Sequence, residues 1–259
     1  MSENPWLRYL KKLKPYNIQK GLRYLKHYGP KEFWIRLCER MEPEEVPYGP
    51  WFEKHKPSAE ELERQRKKKW KNPPLISVAV PAYRTPPGFL EQMILSVKEQ
   101  TYPHWELCIV NASRGEDGME QVRVKNLEEN LGIAGNTNEA LEMARGEFVG
   151  LLDHDDLLAP QALFRIAEAL TADPQADAVY TDEDKVTTYL SEHFQPHFKP
   201  DFNQDLLRCN NYITHFFVVR TRLARETGGF RREFDGAQDY DFIFRCTEAA
   251  AKIVHIPKV

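Results

Sequence analysis

At 259 residues, 41% hydrophobic and 29% charged, the chain has the makeup of a globular protein with room for one sizeable α/β domain and an appendage. No apolar run approaches the roughly 18 residues needed to cross a bilayer. The N-terminus carries charges throughout and no signal-peptide core, so a cytoplasmic protein is expected, with the inner face of the cell membrane as a place where it can rest. The net charge of −3 conceals a division. Residues 1–72 hold 18 Lys/Arg against 10 Asp/Glu, about +8, and the remainder is about −11. An acidic body repels phosphate backbones, which argues against nucleic acid as a partner.

In chain order, residues 1–42 show two short helical patterns. The first has Trp6, Leu7, Leu10 and Leu13 near helical spacing; the second has Leu22, Leu25, Phe33, Ile35 and Leu37 among Lys and Arg. A Pro/Glu-rich linker is expected over 41–51. Ser58-Ala59-Glu60-Glu61 then reads as a capping box, opening a charged helix that runs to Lys67-Lys68-Lys69 and stops before Pro73-Pro74. From there the texture alternates. Strands are predicted over 75–80, 106–110, 147–152 and 178–181, and helices over 89–100, 137–144 and 160–170. Such alternation predicts an open, mostly parallel sheet with helices on both faces. Two domains follow: a basic helical extension and linker over 1–72, and an α/β domain over 73–259.

Cys38, Cys108, Cys209 and Cys246 are far apart, form no Cys-x-x-Cys pair and sit among apolar residues. Buried free thiols in a reducing compartment are expected. His193, His197 and His215 have no spacing that suggests a zinc site.

Ligands of such sheets bind beyond the carboxyl ends of the strands, so the residues just after each strand carry the most information. Asp153-His154-Asp155-Asp156 directly follows the apolar run Phe148-Val149-Gly150-Leu151-Leu152. Asp153 and Asp155, a carboxylate pair one residue apart, can hold a divalent cation that neutralises a diphosphate leaving group. The plainer explanation is capping of the next helix, a role that suits Asp156. Gln238-Asp239-Tyr240-Asp241 opens another helix, where a carboxylate serves equally as a cap or as a general base toward an acceptor hydroxyl. Pro81-Ala82-Tyr83-Arg84 offers an aromatic ring for stacking on a base. Asn111-Ala112-Ser113 offers small polar groups for a base or ribose, and a plain turn explains it as well. Asn130-Leu131-Gly132-Ile133-Ala134-Gly135-Asn136 is a glycine-bearing loop without a dinucleotide or phosphate-loop fingerprint. Tyr180-Thr181-Asp182-Glu183-Asp184-Lys185 reads as an exposed acidic turn. As site residues, Asp182, Asp184 and Gln238 are expected on the acceptor side.

Together these segments resemble the family 2 glycosyltransferases over about 75–259. The opening strand with Pro81 and Tyr83, the segment 130–138, the Leu-Asp-x-Asp-Asp-like element at Asp153, and Gln238-Asp239 in place of a Glu-Asp pair stand in the family's order. The resemblance implies a GT-A fold and an inverting single displacement from a nucleotide-diphosphate sugar, UDP- or dTDP-linked, to a carbohydrate or lipid-linked acceptor. It implies that Asp153 and Asp155 engage the ribose and a Mg²⁺ or Mn²⁺ on the diphosphate, and that Asp239 is the catalytic base. Pro81, Tyr83 and Asn111 then contact the base, and Asn136 the donor. Two departures are visible: Asn111-Ala112 stands where an Asp-Asp or Asp-Gly is usual, and the chain stops at Val259, before a His-Trp-Arg-like segment. Residues 180–185, with His197-Phe198-Lys199-Pro200-Asp201 and Asn211-Tyr212-Ile213, are similar to a bacterial subgroup that builds rhamnose-containing cell-surface polysaccharides. A non-catalytic module docking on membrane or a partner enzyme through residues 1–42 is the alternative, and a nucleotidyltransferase ranks last.

Overall fold

The computed structural model describes residues 22–27, 29–31, 33–34, 48–111 and 121–259. The chain divides into two compact units, Met1–Pro47 and Tyr48–Val259. In the first, the described residues are helical. The rest of the patterns expected in 1–42, with Cys38, lies outside the described residues, as do positions 112 and 113.

The second unit opens with α1 (Tyr48–His55), which replaces the last part of the expected linker with a helix. Helix α2 (Ala59–Arg66) starts as predicted: Ser58 caps it by accepting from the Glu61 N–H at 3.1 Å, and Glu60 and Glu61 fill the first turn. It ends at Arg66 with Lys67 as C-cap, so the lysine run follows the helix rather than belonging to it as expected. Then come β1 (Ile76–Ala82), α3 (Pro87–Lys98), β2 (Trp105–Asn111), β3 (Val122–Asn126), α4 (Gly132–Met143), β4 (Phe148–Leu151), α5 (Ala162–Ala172) and β5 (Ala178–Thr181). A hairpin of β6 (Glu183–Val186) and β7 (His193–His197) follows, then α6 (Gln204–Cys209), β8 (Phe217–Arg220), α7 (Thr221–Glu226), α8 (Gln238–Ala249) and β9 (Ile253–Ile256).

Seven strands form one sheet in the order β3-β2-β1-β4-β8-β5-β9. β8 runs antiparallel to both its neighbours, and the other pairings are parallel. The near-continuous apolar runs of β1 and β2 follow from burial on both faces. On one face Ile76, Val78 and Val80 pack with Met93, Val97, Leu163 and Ile166 of α3 and α5. On the other, Ala79, Val110 and Val149 pack with Ala140, Leu141, Phe242 and Ile243 of α4 and α8. Each large aliphatic side chain buried this way contributes about 1.5–3 kcal/mol. Gly150 is required by close packing on this sheet, because a Cβ there would sit 2.3 Å from the Phe216 ring.

Two expectations need correction. Cys209, at the end of α6, is exposed, because only Leu207 of that short amphipathic helix faces the core; Cys108 and Cys246 are buried thiols as expected. Residues 182–184 are not an exposed turn. They pass from β5 into the hairpin, with Asp182 only 6% exposed, because other side chains fold over them.

Candidate active site

From β3, at one edge, the chain returns across the sheet to β4 on the far side of β1. The strand order therefore reverses beside β1 and β4, and in open sheets such a reversal marks the crevice past the strands' carboxyl ends where ligands bind. Asp153 leaves β4 into it. A tight turn, closed by the Asp156 N–H donating to the Asp153 carbonyl at 3.1 Å, brings the Asp156 carboxylate back beside Asp153. His215, just before β8, completes the group: its Nε2 lies 3.5 Å from Asp153 Oδ2 and 4.0 Å from Asp156 Oδ2. Ligand atoms of Asp153, Asp156 and His215 all fall within 4.8 Å of one another.

This differs from the sequence expectation in two ways. Asp155, paired there with Asp153, has its side chain 59% exposed, beside His154 Nδ1 at 3.7 Å. Asp156 does not cap α5, whose N-cap is Gln161, so its carboxylate is free for another role. His215 was invisible to a spacing argument because the fold, rather than sequence proximity, delivers it from 59 residues beyond Asp156.

The group fits a divalent cation on its own chemistry. The two separations to His215 lie between the cis and trans spacings of ligands on one octahedral ion, about 3 and 4.2 Å for metal–ligand bonds of about 2.1 Å. Carboxylates suit Mg²⁺ and Mn²⁺, and the imidazole favours the transition ion of the two. Burial pushes the Asp156 carboxyl above its ordinary range; Asp153, Asp155 and Glu183 add repulsion, and His215 partly opposes it. A cation there would relieve that repulsion.

Asp239 enters from the first turn of α8. Burial raises its pKa, repulsion from Asp153 adds to this, and His215 and Gln238 oppose it, which places the carboxylate within the field of the same cluster. Gln238, 6% exposed, accepts from the Gly236 N–H at 2.7 Å and donates to Asp239 Oδ2 at 3.3 Å, so it orients Asp239. Asp241 is different: Arg231 and Arg245 grip it and hold its carboxyl below the ordinary range even against burial, as a structural ion pair.

The remaining expected residues divide. Tyr83 follows β1, is 38% exposed and has the Arg84 guanidinium 5.0 Å from its ring centroid. Pro81 is half-buried in β1, and Asn111 ends β2, buried. Asn136 is turned to its own loop: Oδ1 accepts from the Leu131 N–H at 3.1 Å and Nδ2 donates to Asn130 Oδ1 at 2.8 Å. The glycine-bearing segment is thus the start of α4 rather than a loop, with Gly132 at φ +79°. Asp182 accepts from the Lys199 N–H and from His255 Nε2, both at 2.9 Å. Asp184 accepts from the Tyr48 hydroxyl at 2.8 Å, with His193 Nδ1 also at 2.8 Å.

Comparisons with known proteins give the family and the fold. The chain is 31% identical over 232 residues to the O-antigen biosynthesis protein RfbC of Myxococcus xanthus, covering 85% of this chain and 18% of that protein. It spans about a fifth of the length of that protein and of the chondroitin synthase of Pasteurella multocida, to which it is 28% identical over 195 residues. In fold it is similar to S. aureus TarS 1–349 in complex with UDP (TM-score 0.59, 21% identity, 71% of this chain and 58% of that one). It is likewise similar to the mannosyltransferase PcManGT from Pyrobaculum calidifontis in complex with GDP-Man and Mn²⁺ (TM-score 0.53, 22% identity, 76% and 60%). No helix among the described residues is long and apolar enough to cross a membrane. The model for glycosyl transferase family 2 matches residues 77–228, more than half of the sequence, and the chain belongs to that family.

Proposed function

We propose that the chain transfers a sugar, with inversion and with a divalent cation, from a UDP- or dTDP-linked donor to an acceptor hydroxyl in the synthesis of a cell-surface polysaccharide or glycolipid. The observation that carries this is the cluster of Asp153, Asp156 and His215, drawn from the turn after β4 and the segment before β8, with Asp239 of α8 feeling the charges of Asp153 and His215. Asp153, Asp156 and His215 would hold Mg²⁺ or Mn²⁺. When bound, such an ion supplies positive charge to the departing diphosphate. Tyr83 stacks on the base, and Asn111 accepts or donates at its edge. Asp239 takes the proton from the acceptor hydroxyl as that oxygen attacks the anomeric carbon. Its raised pKa makes it a stronger base than an ordinary aspartate.

The supporting experiment is a thermal-shift screen of nucleotide sugars with and without Mn²⁺, followed by NMR assignment of the product anomer. Stabilisation that needs both components, and a product of inverted configuration, are expected. Equal stabilisation without metal, or retained configuration, would count against it. Contact of residues 1–42 with anionic lipid at the inner membrane face belongs to the same proposal, and rests on the basic charge of that arm. Liposome flotation of the full chain should weaken when residues 1–42 are deleted.

A further inference from the structure

His215 does not owe its position to a regular element. Residues 210–214 before it are neither helix nor strand, and Thr214 sits at φ +41°, in the left-handed region that disfavours a β-branched residue. Backbone groups in such a segment need other partners. They find them in the two acidic and basic motifs that the donor site leaves unused. The Lys199 side chain is fully buried, and its ammonium donates to the carbonyls of Ile213, at 2.6 Å, and His215, with Glu183 Oε2 at 3.4 Å. Three donors thus meet three acceptors. Glu183 in turn accepts from the His215 N–H at 3.0 Å through Oε2, and from the Thr214 hydroxyl at 2.8 Å through Oε1. Glu183 also holds His197 Nδ1 at 3.0 Å, which ties the pair to β7.

A buried ion pair kept for stability alone is a poor bargain, since apolar replacements are often as stable. Stability alone also gives no reason for both charges to bond the backbone of one residue. We infer that Lys199 and Glu183 are positioning residues that hold the His215 imidazole against Asp153 and Asp156 and so set the cation affinity of the donor site. The inference rests on the function proposed above. It assigns a task to Glu183 within the acidic 182–184 segment and to Lys199 of the 197–201 segment.

The test uses the full chain as wild type, Lys199→Met, Glu183→Gln, His215→Ala and the double variant Lys199→Met/His215→Ala. Free Mn²⁺ is counted by electron paramagnetic resonance in the presence of saturating UDP, below the melting temperature of each protein. Lys199→Met should weaken Mn²⁺ binding by about 10–100-fold, as loss of a ligand-orienting partner does elsewhere, and Glu183→Gln by less. In the His215→Ala background Lys199→Met should add no further loss. A pair that is merely structural would lower the melting temperature and leave Mn²⁺ affinity alone, or cost the same in both backgrounds; either result overturns the inference. If Lys199→Met does not fold, Glu183→Gln carries the same comparison. A wild type that binds no Mn²⁺ with UDP overturns the proposed function along with the inference, whereas a binding wild type with unaffected variants overturns the inference alone.

Discussion

Both ends of the central strands hold carboxylates, one buried at the amino end and several at the other, and they treat them in opposite ways. At the amino end Glu106 is buried and saturated: Oε1 accepts from the Ser77 hydroxyl at 2.6 Å and the Arg145 N–H at 2.6 Å, and Oε2 from Arg123 at 3.0 Å. Ser77, its register partner across β1 and β2, also accepts from the Gly146 N–H at 2.9 Å. Every donor is the chain's own, so this acid closes the seam between β1, β2 and β4. At the carboxyl end Asp153 and Asp156 lie together with His215, and burial, with repulsion from Asp153, raises both Asp156 and Asp239 while His215 opposes it. A saturated carboxylate is architecture. A repelling set of them is what the proposed cation site would use.

The largest effect that sharpens this contrast is on turnover. Asp239→Asn should lower kcat by about 10³-fold, within the usual worth of a general base, while circular dichroism and melting stay close to wild type. A loss of only severalfold would remove Asp239 from the chemistry. At the other end Glu106→Ala should act on stability instead, costing about 3 kcal/mol in urea unfolding because it leaves the Ser77 hydroxyl, the Arg145 N–H and the Arg123 charge without their carboxylate. A Glu106→Ala chain as stable as wild type would dissolve the distinction between the two ends.

The smallest effect has the opposite sign. Asp156 has a raised pKa in the folded chain, so the fold binds that proton more tightly than the unfolded chain does. Its contribution to stability is present below the ordinary aspartate range and is lost as pH rises through the raised value. Asp241 and Glu183, with lowered values, work in the other direction, losing their contribution as pH falls. The difference between variants is therefore the useful quantity. Metal-free Asp156→Asn should melt about 2 °C above wild type at pH 7, and the gap should close as the pH falls toward 4. A gap that widens on acidification would mean that Asp156 is already stabilised by partners within the chain.

Much of the architecture was open to sequence reasoning, because β1, β2 and β4 are buried on both faces and so read as apolar runs, and because Ser58 caps α2 by local chemistry. What escaped was non-local. β3 and β9 lie at the two edges of the sheet, where few positions need to be apolar, and β8 is antiparallel in a chain whose alternation predicts parallel strands. In the proposed site, Asp153 and Asp239 are marked in the sequence by following a strand and opening a helix. That Asp156 rather than Asp155 lies beside Asp153 turns on one backbone hydrogen bond at residue 153, and the place of His215 on the packing of an irregular segment, and neither leaves a mark in residue spacing.

The most direct test of the account is Mn²⁺ affinity in the presence of UDP, measured by titration calorimetry on single variants of the aspartate run and of His215. The account predicts that Asp153→Asn, Asp156→Asn and His215→Ala each weaken Mn²⁺ binding at least tenfold, while Asp155→Asn stays within about twofold of wild type. Loss of binding in Asp155→Asn with retention in Asp156→Asn and His215→Ala would contradict it, and would move the cation to a place this arrangement of side chains does not provide.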